Sequence, residues 1–229
     1  MPQPTATLEN LARIMAHTPG CPICRYGRQA GRAFLEGLLY ESVNDFGLRQ
    51  QLVQSLGFCA YHSREMLRFP GARLGAAILE QAMLKEALRR IQTQTPARRS
   101  LLRGRRASAA PASNHDGCPV CRHEREAEQR AVEELVADWN GAWAEALENA
   151  GGLCYNHLHQ AIQLSPNKAA ASQLKALHQR LWQALIDHLD EFIRKHDYRF
   201  RDEAISDAEA EAIRRAIHVL TSVDTIERR

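Results

Sequence analysis

The sequence lacks any apolar run long enough to cross a membrane, and this absence limits what the chain can be. No stretch approaches the roughly 18 consecutive apolar residues of a membrane-spanning helix. The N-terminal residues contain Glu9, Asn10 and Arg13 among their apolar positions, so they lack the uninterrupted hydrophobic region of a secretory signal peptide. We therefore expect a protein of the cytoplasm with no membrane partner.

The sequence also lacks the sustained alternation of apolar and polar residues that predicts β-strands. Its apolar residues recur three and four positions apart, which is the periodicity of amphipathic helices. With 229 residues, 45% hydrophobic and 25% charged, the chain is long enough for one sizeable core or two small ones. We predict an all-α protein with a long helix near the C-terminus and a short final helix.

The sequence has no cysteine outside a single motif, which occurs twice. Cys21-Pro22-Ile23-Cys24 precedes Cys59-Ala60-Tyr61-His62 by 35 residues, and Cys118-Pro119-Val120-Cys121 precedes Cys154-Tyr155-Asn156-His157 by 33 residues. Three thiolates and one imidazole form the tetrahedral ligand set that zinc prefers. The pattern therefore predicts two zinc ions in two Cys3His sites. The eight predicted metal ligands are Cys21, Cys24, Cys59, His62, Cys118, Cys121, Cys154 and His157.

The duplicated motif is an internal repeat, and it predicts how the chain is divided. The first ligand pairs are offset by 97 residues and the second pairs by 95, with a glycine before each first pair and near each second pair. We expect a first helical repeat over 1–94 and a second over 118–229, each closing its own metal site. The simplest architecture packs the two repeats together about a pseudo-twofold axis, so that they share apolar faces.

Each second ligand pair precedes a long helix. In the first repeat this helix has a predicted apolar stripe, and in the second repeat Ser165-Pro166 is the expected start, because serine caps and proline suits the first turn. Ser206 and Glu209 fit a capping box for the final helix, and Asn44 is a candidate cap earlier in the chain. The first stripe is Leu74, Ala77, Ile78, Leu84, Leu88 and Ile91. The second is Leu174, Leu177, Leu181, Leu185 and Phe192.

Residues 95–117 differ from the rest of the chain in composition. The net charge of the chain is +3, and this segment holds five arginines against one aspartate, with prolines, glycines, serines and alanines between them. We interpret it as a flexible basic linker. A mobile cationic segment binds nucleic-acid phosphates by releasing counterions, although the sequence lacks the aromatic platform that would read bases. The candidate nucleic-acid-binding residues are Arg98, Arg99, Arg103, Arg105 and Arg106.

Two alternatives to a structural zinc site remain open at this stage. An iron–sulfur cluster also takes three cysteines and one histidine, and a zinc–thiolate site that oxidises and releases its ion would form a redox switch. Metal catalysis is disfavoured, because four protein ligands leave no position for an activated water. The sequence contains no His-Glu-x-x-His, and its prolines lie between the paired cysteines rather than before them, unlike those of zinc deaminases. No catalytic residue can be named.

The paired Cys-Pro-x-Cys and Gly-x-Cys-x-x-His motifs, with the segment Phe192 to Phe200 after them, resemble a bacterial family known as a domain of unknown function. The resemblance covers the chain from about Gly20 to the last helix. It implies a bacterial source and the two metal sites, but no activity. We therefore expect a zinc-binding helical protein that acts as a binding or regulatory module for a protein partner. A redox-responsive zinc–thiolate switch and a nucleic-acid-binding protein are the alternatives.

Overall fold

A computed structural model of the protein describes residues 5–41, 43, 45–93, 117–200 and 202–222. These ranges contain ten α-helices, a short 3-10 helix over Tyr198–Phe200 and no strand, so the all-α prediction is confirmed. No helix in these ranges is long and apolar enough to cross a membrane. The helices are α1 (Ala6–His17), α2 (Pro22–Tyr40), α3 (Phe46–Ser55), α4 (Ala60–Met66), α5 (Arg73–Thr93), α6 (Pro119–Ala137), α7 (Gly141–Ala150), α8 (Tyr155–Leu164), α9 (Lys168–Lys195) and α10 (Asp207–Thr221).

Side-chain caps explain where several of these helices begin. The predicted capping box of α10 is confirmed: Ser206 accepts from the Glu209 amide, and the Glu209 carboxylate accepts from the Ser206 amide. The predicted start of α9 at Ser165-Pro166 is wrong, because Asn167 is the cap and accepts from the Ala170 amide. Asp45 caps α3. The candidate cap Asn44 lies outside the described residues.

The chain forms two compact units that do not follow the two sequence repeats. Unit 1 combines Met1–Tyr26 with Ala127–Arg229, and unit 2 is Gly27–Glu126. Their boundaries fall inside α2 and α6, whereas the expected domains were 1–94 and 118–229. The linker predicted over 95–117, with its five candidate arginines, lies outside the described residues except for Gly117.

The core of unit 1 is built from α1 and α6–α9 together with the start of α2. Leu11, Leu135, Leu147 and Leu174 are fully buried there. The three tryptophans pack against this core, where large aromatic side chains contribute much buried apolar surface. The partly buried residues packed against this cluster include Trp139, Trp143 and Trp182.

The last part of unit 1 is held together by a partly buried ion pair. Lys195 Nζ at the end of α9 contacts both carboxylate oxygens of Glu209, at 2.7 and 2.9 Å, and so holds α10 against α9. The segment between these helices contains the 3-10 turn over Tyr198–Phe200. Phe200 lies under the guanidinium of Arg194 at 4.6 Å, and Tyr198 is 82% exposed.

The long helix of unit 2, α5, corrects one part of the sequence analysis. Its buried residues are Gly75, Ala76, Leu79 and Met83, which occupy one side of the helix. The predicted stripe lies on the opposite side and is largely exposed, so α5 is apolar on two faces and uses only one in the core of unit 2. The exposed side, which we call the outer face of α5, consists of Leu74, Leu84, Leu88 and Ile91.

Candidate metal centres

All eight predicted ligands come together in two groups of three cysteines and one histidine. Site A lies in unit 1 and site B in unit 2. Within each group, the candidate ligand atoms all lie within 4.8 Å of one another. Site A is Cys21, Cys24, Cys154 and His157. Site B is Cys59, His62, Cys118 and Cys121.

The pairing expected from the sequence is therefore wrong. Each Cys-Pro-x-Cys pair lies next to the Cys-x-x-His pair of the other repeat, so the ligands of the two repeats are exchanged. In site A, the Sγ atoms of Cys24 and Cys154 are 3.7 Å apart across 130 residues of sequence. The composition of each site is as predicted, but the connection between its two halves is not.

The distances within each site fit a tetrahedral ion. Zinc–sulfur bonds of about 2.3 Å and zinc–nitrogen bonds of about 2.0 Å, at tetrahedral angles, place two sulfurs about 3.8 Å apart and a sulfur about 3.5 Å from nitrogen. In site A, His157 Nδ1 is 3.2 to 3.5 Å from the three sulfurs. In site B, His62 Nδ1 is 3.3 to 3.5 Å from its three sulfurs, and the Sγ atoms of Cys59 and Cys121 are 3.5 Å apart. Both groups thus surround a centre of the right size.

Every ligand pair lies at the N-terminus of a helix, which explains how short motifs position the thiolates. Pro22 and Pro119 are the first residues of α2 and α6, where a missing amide hydrogen costs nothing. Cys59 and Cys154 are the N-cap residues of α4 and α8. Because the N-terminus of a helix carries partial positive charge, all four positions favour the thiolate form that binds a metal.

A turn shapes the approach to each Cys-x-x-His pair. Gly57 and Gly152 precede these pairs and have φ values of 105° and 88°, a left-handed conformation that side chains with a Cβ rarely adopt. At Gly152, an added Cβ would also lie 2.9 Å from Leu181 Cδ1. The glycines that the sequence motif contains are therefore required by the backbone.

Each ligand histidine also faces a carboxylate on α6. His62 Nε2 is 3.1 Å from Glu124 Oε1, and His157 Nε2 is 3.6 Å from Glu128 Oε2. Such a carboxylate fixes the ring and its tautomer, so that Nδ1 points at the metal. Sequence reasoning missed both glutamates.

The offset of 97 residues between the repeats identifies the positions of the first repeat that correspond to Glu124 and Glu128. Their counterparts on α2 are Gly27 and Gly31, so one helix supplies the carboxylates of both sites. A Cβ added at Gly31 would lie 2.4 Å from Glu124 Cγ, which shows that a glycine there leaves room for this carboxylate. The sequence signal for these glutamates is the replacement of two glycines in the first repeat by two acidic residues at the same positions of the second.

Three further polar contacts hold the backbone around site A. The Cys21 amide donates to His218 Nε2 at 3.1 Å, and Ser222 Oγ is 3.1 Å from Cys154 Sγ. The Leu153 amide donates to His178 Nε2 at 2.8 Å. α9 and α10 therefore support the loops that carry the ligands.

Two other histidines near the motifs, His123 and His159, do not belong to either ligand group. His159 is exposed, and His123 stacks on Phe34 with ring centroids 4.6 Å apart. His115 lies outside the described residues. On α9, His188 is only partly buried. His178 on the same helix is fully buried and lies next to the second apolar stripe.

The shifted pKa values in both sites indicate an environment that favours positive charge. Hydrogen bonds with Cys121 and Cys59 lower the pKa of Cys118, and hydrogen bonds with Cys118 and Cys59 raise that of Cys121. Burial lowers the pKa of His62, but hydrogen bonds with Cys118, Cys59 and Glu124 outweigh it and raise the pKa to about 11. The buried cysteines thus raise the proton affinity of the neighbouring Cys121 thiol and His62 imidazole. A divalent cation would replace those protons and stabilise all three thiolates at once.

The same pattern occurs in site A. Hydrogen bonds with Cys21 and Cys24 lower the pKa of Cys154, and a hydrogen bond with Cys154 is the main cause that raises the pKa of Cys24. Burial lowers the pKa of His157, but its bonds with Cys154, Cys21 and Glu128 raise it to about 12. Both sites therefore have the donor chemistry of a closed metal site.

The fold and these two clusters define a class: an all-helical protein with two buried Cys3His groups, each fit to hold one metal ion. The chain belongs to the family of unknown function DUF6062, which it matches over residues 9–227, and the resemblance expected from the sequence is thereby confirmed. It is also similar to an uncharacterised 23.9 kDa protein in the xynA 3′ region of Caldicellulosiruptor sp. (strain Rt8B.4). The two are 25% identical over 182 residues, 78% of this chain and 83% of the relative. No solved structure matches the chain.

Proposed function

We propose that each site binds one structural zinc ion and that the protein acts as a zinc-stabilised helical binding module. The observation that carries this proposal is the closed shell of each site: four protein ligands surround each centre, and a carboxylate faces each ligand histidine. A complete shell leaves no position for substrate or activated water, so the metal supports the fold rather than a reaction.

The positions of the ligands explain why such an ion would matter for stability. Site A joins the N-terminal segment to residues 130 positions later, and site B joins segments about 60 positions apart. Structural zinc contributes about 10 to 16 kcal/mol of apparent binding free energy in zinc-finger peptides, comparable with the stability of a whole domain. Each ion would thus cross-link distant segments within its own unit, site A within unit 1 and site B within unit 2.

Metal analysis tests the identity of the ion. Protein purified from cells grown without added metal should be colourless and contain two equivalents of zinc per chain by inductively coupled plasma mass spectrometry. A brown sample with iron and little zinc would support an iron–sulfur cluster instead.

Burial of the cysteines supports a structural site over a redox switch. Five of the six cysteines are buried, and Cys121 is partly buried, whereas redox-sensing thiolates are accessible. Protein treated with mild peroxide should therefore retain both zinc ions, as measured with a colorimetric zinc indicator. Release of zinc that is reversed by a reductant would favour the switch.

The outer face of α5 supports a protein partner for the module. Leu84, Leu88 and Ile91 follow one another at helical spacing and are 67%, 56% and 66% exposed. Apolar side chains grouped on one face mark interaction surfaces. A photo-crosslinking amino acid at Leu88 should capture a discrete protein in cells of the native host, whereas the same group at the exposed polar position Glu133 should not. Equal labelling at both positions would contradict this surface.

A further inference from the structure

We propose that unit 1 contains a binding site for a small organic anion, in a cleft between site A and α10. The cleft has a volume of about 340 Å³. Its walls are the turn before α2, the end of α7 with the following Gly151-Gly152 turn, and one side of α10. We call it the site A cleft. This inference goes beyond the proposed zinc function, because nothing in a structural metal site requires a neighbouring cavity.

The size and surface of the cleft suit a small molecule. Ligand sites in proteins have volumes of about 300 to 1,000 Å³ and are mainly apolar, with a few polar groups that orient the ligand. Leu153, Leu181 and Val219 supply an apolar wall here. At Gly151 an added Cβ would meet nothing within 4 Å, which confirms that this part of the rim is open.

The charged residues of the cleft favour an anion. Arg25, Arg214 and Arg215 line it, against two carboxylates. Both carboxylates are paired with arginines: Glu211 is 3.0 Å from Arg214, so that pair has no net charge, and Glu148 is 3.2 Å from Arg180, which is not part of the lining.

Arg215 is exposed on α10 beside these pairs, and Arg25 is fixed at the rim by donating to the Pro19 carbonyl at 2.6 and 3.0 Å. A guanidinium binds carboxylate, sulfonate or phosphate oxygens through two parallel hydrogen bonds. The cleft therefore combines an apolar wall with cationic groups, which fits a ligand with an apolar body and one anionic end.

The cleft is also connected to site A. Cys21 and Cys154 form part of its lining, and α10 is attached to the same two residues through His218 and Ser222. Because the metal shell is complete, the ligand would contact the protein and not the ion. The shape of the cleft depends on site A, so it should be lost when that metal is removed.

A matched pair of fluorescent probes tests the proposal on the full-length, zinc-loaded protein. The anionic probe 8-anilinonaphthalene-1-sulfonate should bind one site, and Arg215→Glu should weaken this binding at least tenfold. Arg130→Glu, an exposed arginine of unit 1 on α6 and outside the cleft lining, should leave it unchanged. The neutral probe N-phenyl-1-naphthylamine should respond little to either charge reversal, and Val219→Trp, which fills the cleft, should abolish the sulfonate site.

The outcomes separate this proposal from the structural zinc sites. Zinc is measured in every variant, and two equivalents should remain in Arg215→Glu and Arg130→Glu. A protein with both ions that does not bind the sulfonate overturns the cleft and leaves the zinc proposal intact. Sulfonate binding that is equal in Arg215→Glu and Arg130→Glu, or that persists in Val219→Trp, places the probe elsewhere and also overturns the cleft.

Discussion

At the residue scale, the metal sites depend on groups that no ligand motif contains. Glu124 and Glu128 lie four residues apart on α6 and contact the ligand histidines of different sites. The Cys and His ligands could be identified from the sequence because all the cysteines fall into one repeated register. The glutamates did not stand out, since an acidic residue on a helix is ordinarily a solvated one, and only a position-by-position comparison of the repeats distinguishes them.

Removal of one carboxylate should weaken one site only. We expect Glu124→Gln to lower the zinc affinity of site B by about 10- to 100-fold, because the His62 ring loses its charged partner. Glu128→Gln should do the same to site A. Competition with a chelator measures both affinities, and Glu126→Gln on the same helix is the control. Equal loss in all three variants would show a general effect on α6.

His178 should give the folded protein a pH dependence in weak acid. Its Nε2 accepts from the Leu153 amide and its Nδ1 donates to the Leu174 carbonyl, so the ring is neutral, and burial lowers its pKa. The unfolded state therefore binds a proton first as pH falls. The stability that this ring supplies is complete above its unfolded pKa of about 6.5 and is lost as the pH falls from there toward the lower folded pKa.

His178→Gln tests this dependence, because glutamine keeps an acceptor near the Leu153 amide and does not titrate. Denaturant unfolding between pH 5.5 and 7.5 should show a steeper fall in stability for the original protein than for the variant. Parallel curves would contradict the assignment. Zinc content is measured at each pH, so that loss of metal is not mistaken for protonation of His178.

At the scale of helices, the asymmetry between α2 and α6 is the feature with the clearest consequence. Both helices begin with a ligand pair and have 19 residues, but α6 carries the glutamates where α2 carries glycines. Gly31 is the position at which this difference has a steric reason, because Glu124 occupies the space of its absent side chain.

Two glycines of α2 should respond in opposite ways to alanine. Gly37→Ala should stabilise the protein by up to about 1 kcal/mol, since nothing lies within 4 Å of the added Cβ and alanine is the better helix former. Gly31→Ala should instead displace Glu124 and weaken zinc binding at site B. If Gly31 acts through Glu124, the double variant with Glu124→Gln should lose no more affinity than Glu124→Gln alone. Additive losses would argue for a separate effect.

At the scale of the whole molecule, the sequence predicted the helical class and the eight ligands but not how they pair. A repeat shows which residues are equivalent, and either pairing completes two Cys3His shells. The lengths of the helices favour the exchanged pairing: from Cys24 to Tyr40, α2 carries the chain about 24 Å, whereas α3, with ten residues, spans only about 15 Å before Cys59. The unit boundaries inside α2 and α6 follow from this exchange, so they could not be predicted from the sequence either.

Removal of both metals should destabilise the entire fold. A loss of about 10 kcal/mol corresponds to a fall of roughly 20 °C or more in thermal midpoint for a protein of this size. Circular dichroism of protein treated with a strong chelator measures this change, and added zinc should reverse it. An unchanged midpoint after complete removal of metal would contradict a structural role.

The exchanged pairing can be tested by counting zinc in two double variants. Cys21→Ser with Cys154→Ser removes two ligands from site A, so the protein should retain about one zinc ion, bound at site B. Cys21→Ser with Cys59→Ser removes one ligand from each site and should leave no tightly bound zinc. The opposite result, with one ion kept in the second variant and none in the first, would show that each repeat closes its own site and would contradict the account.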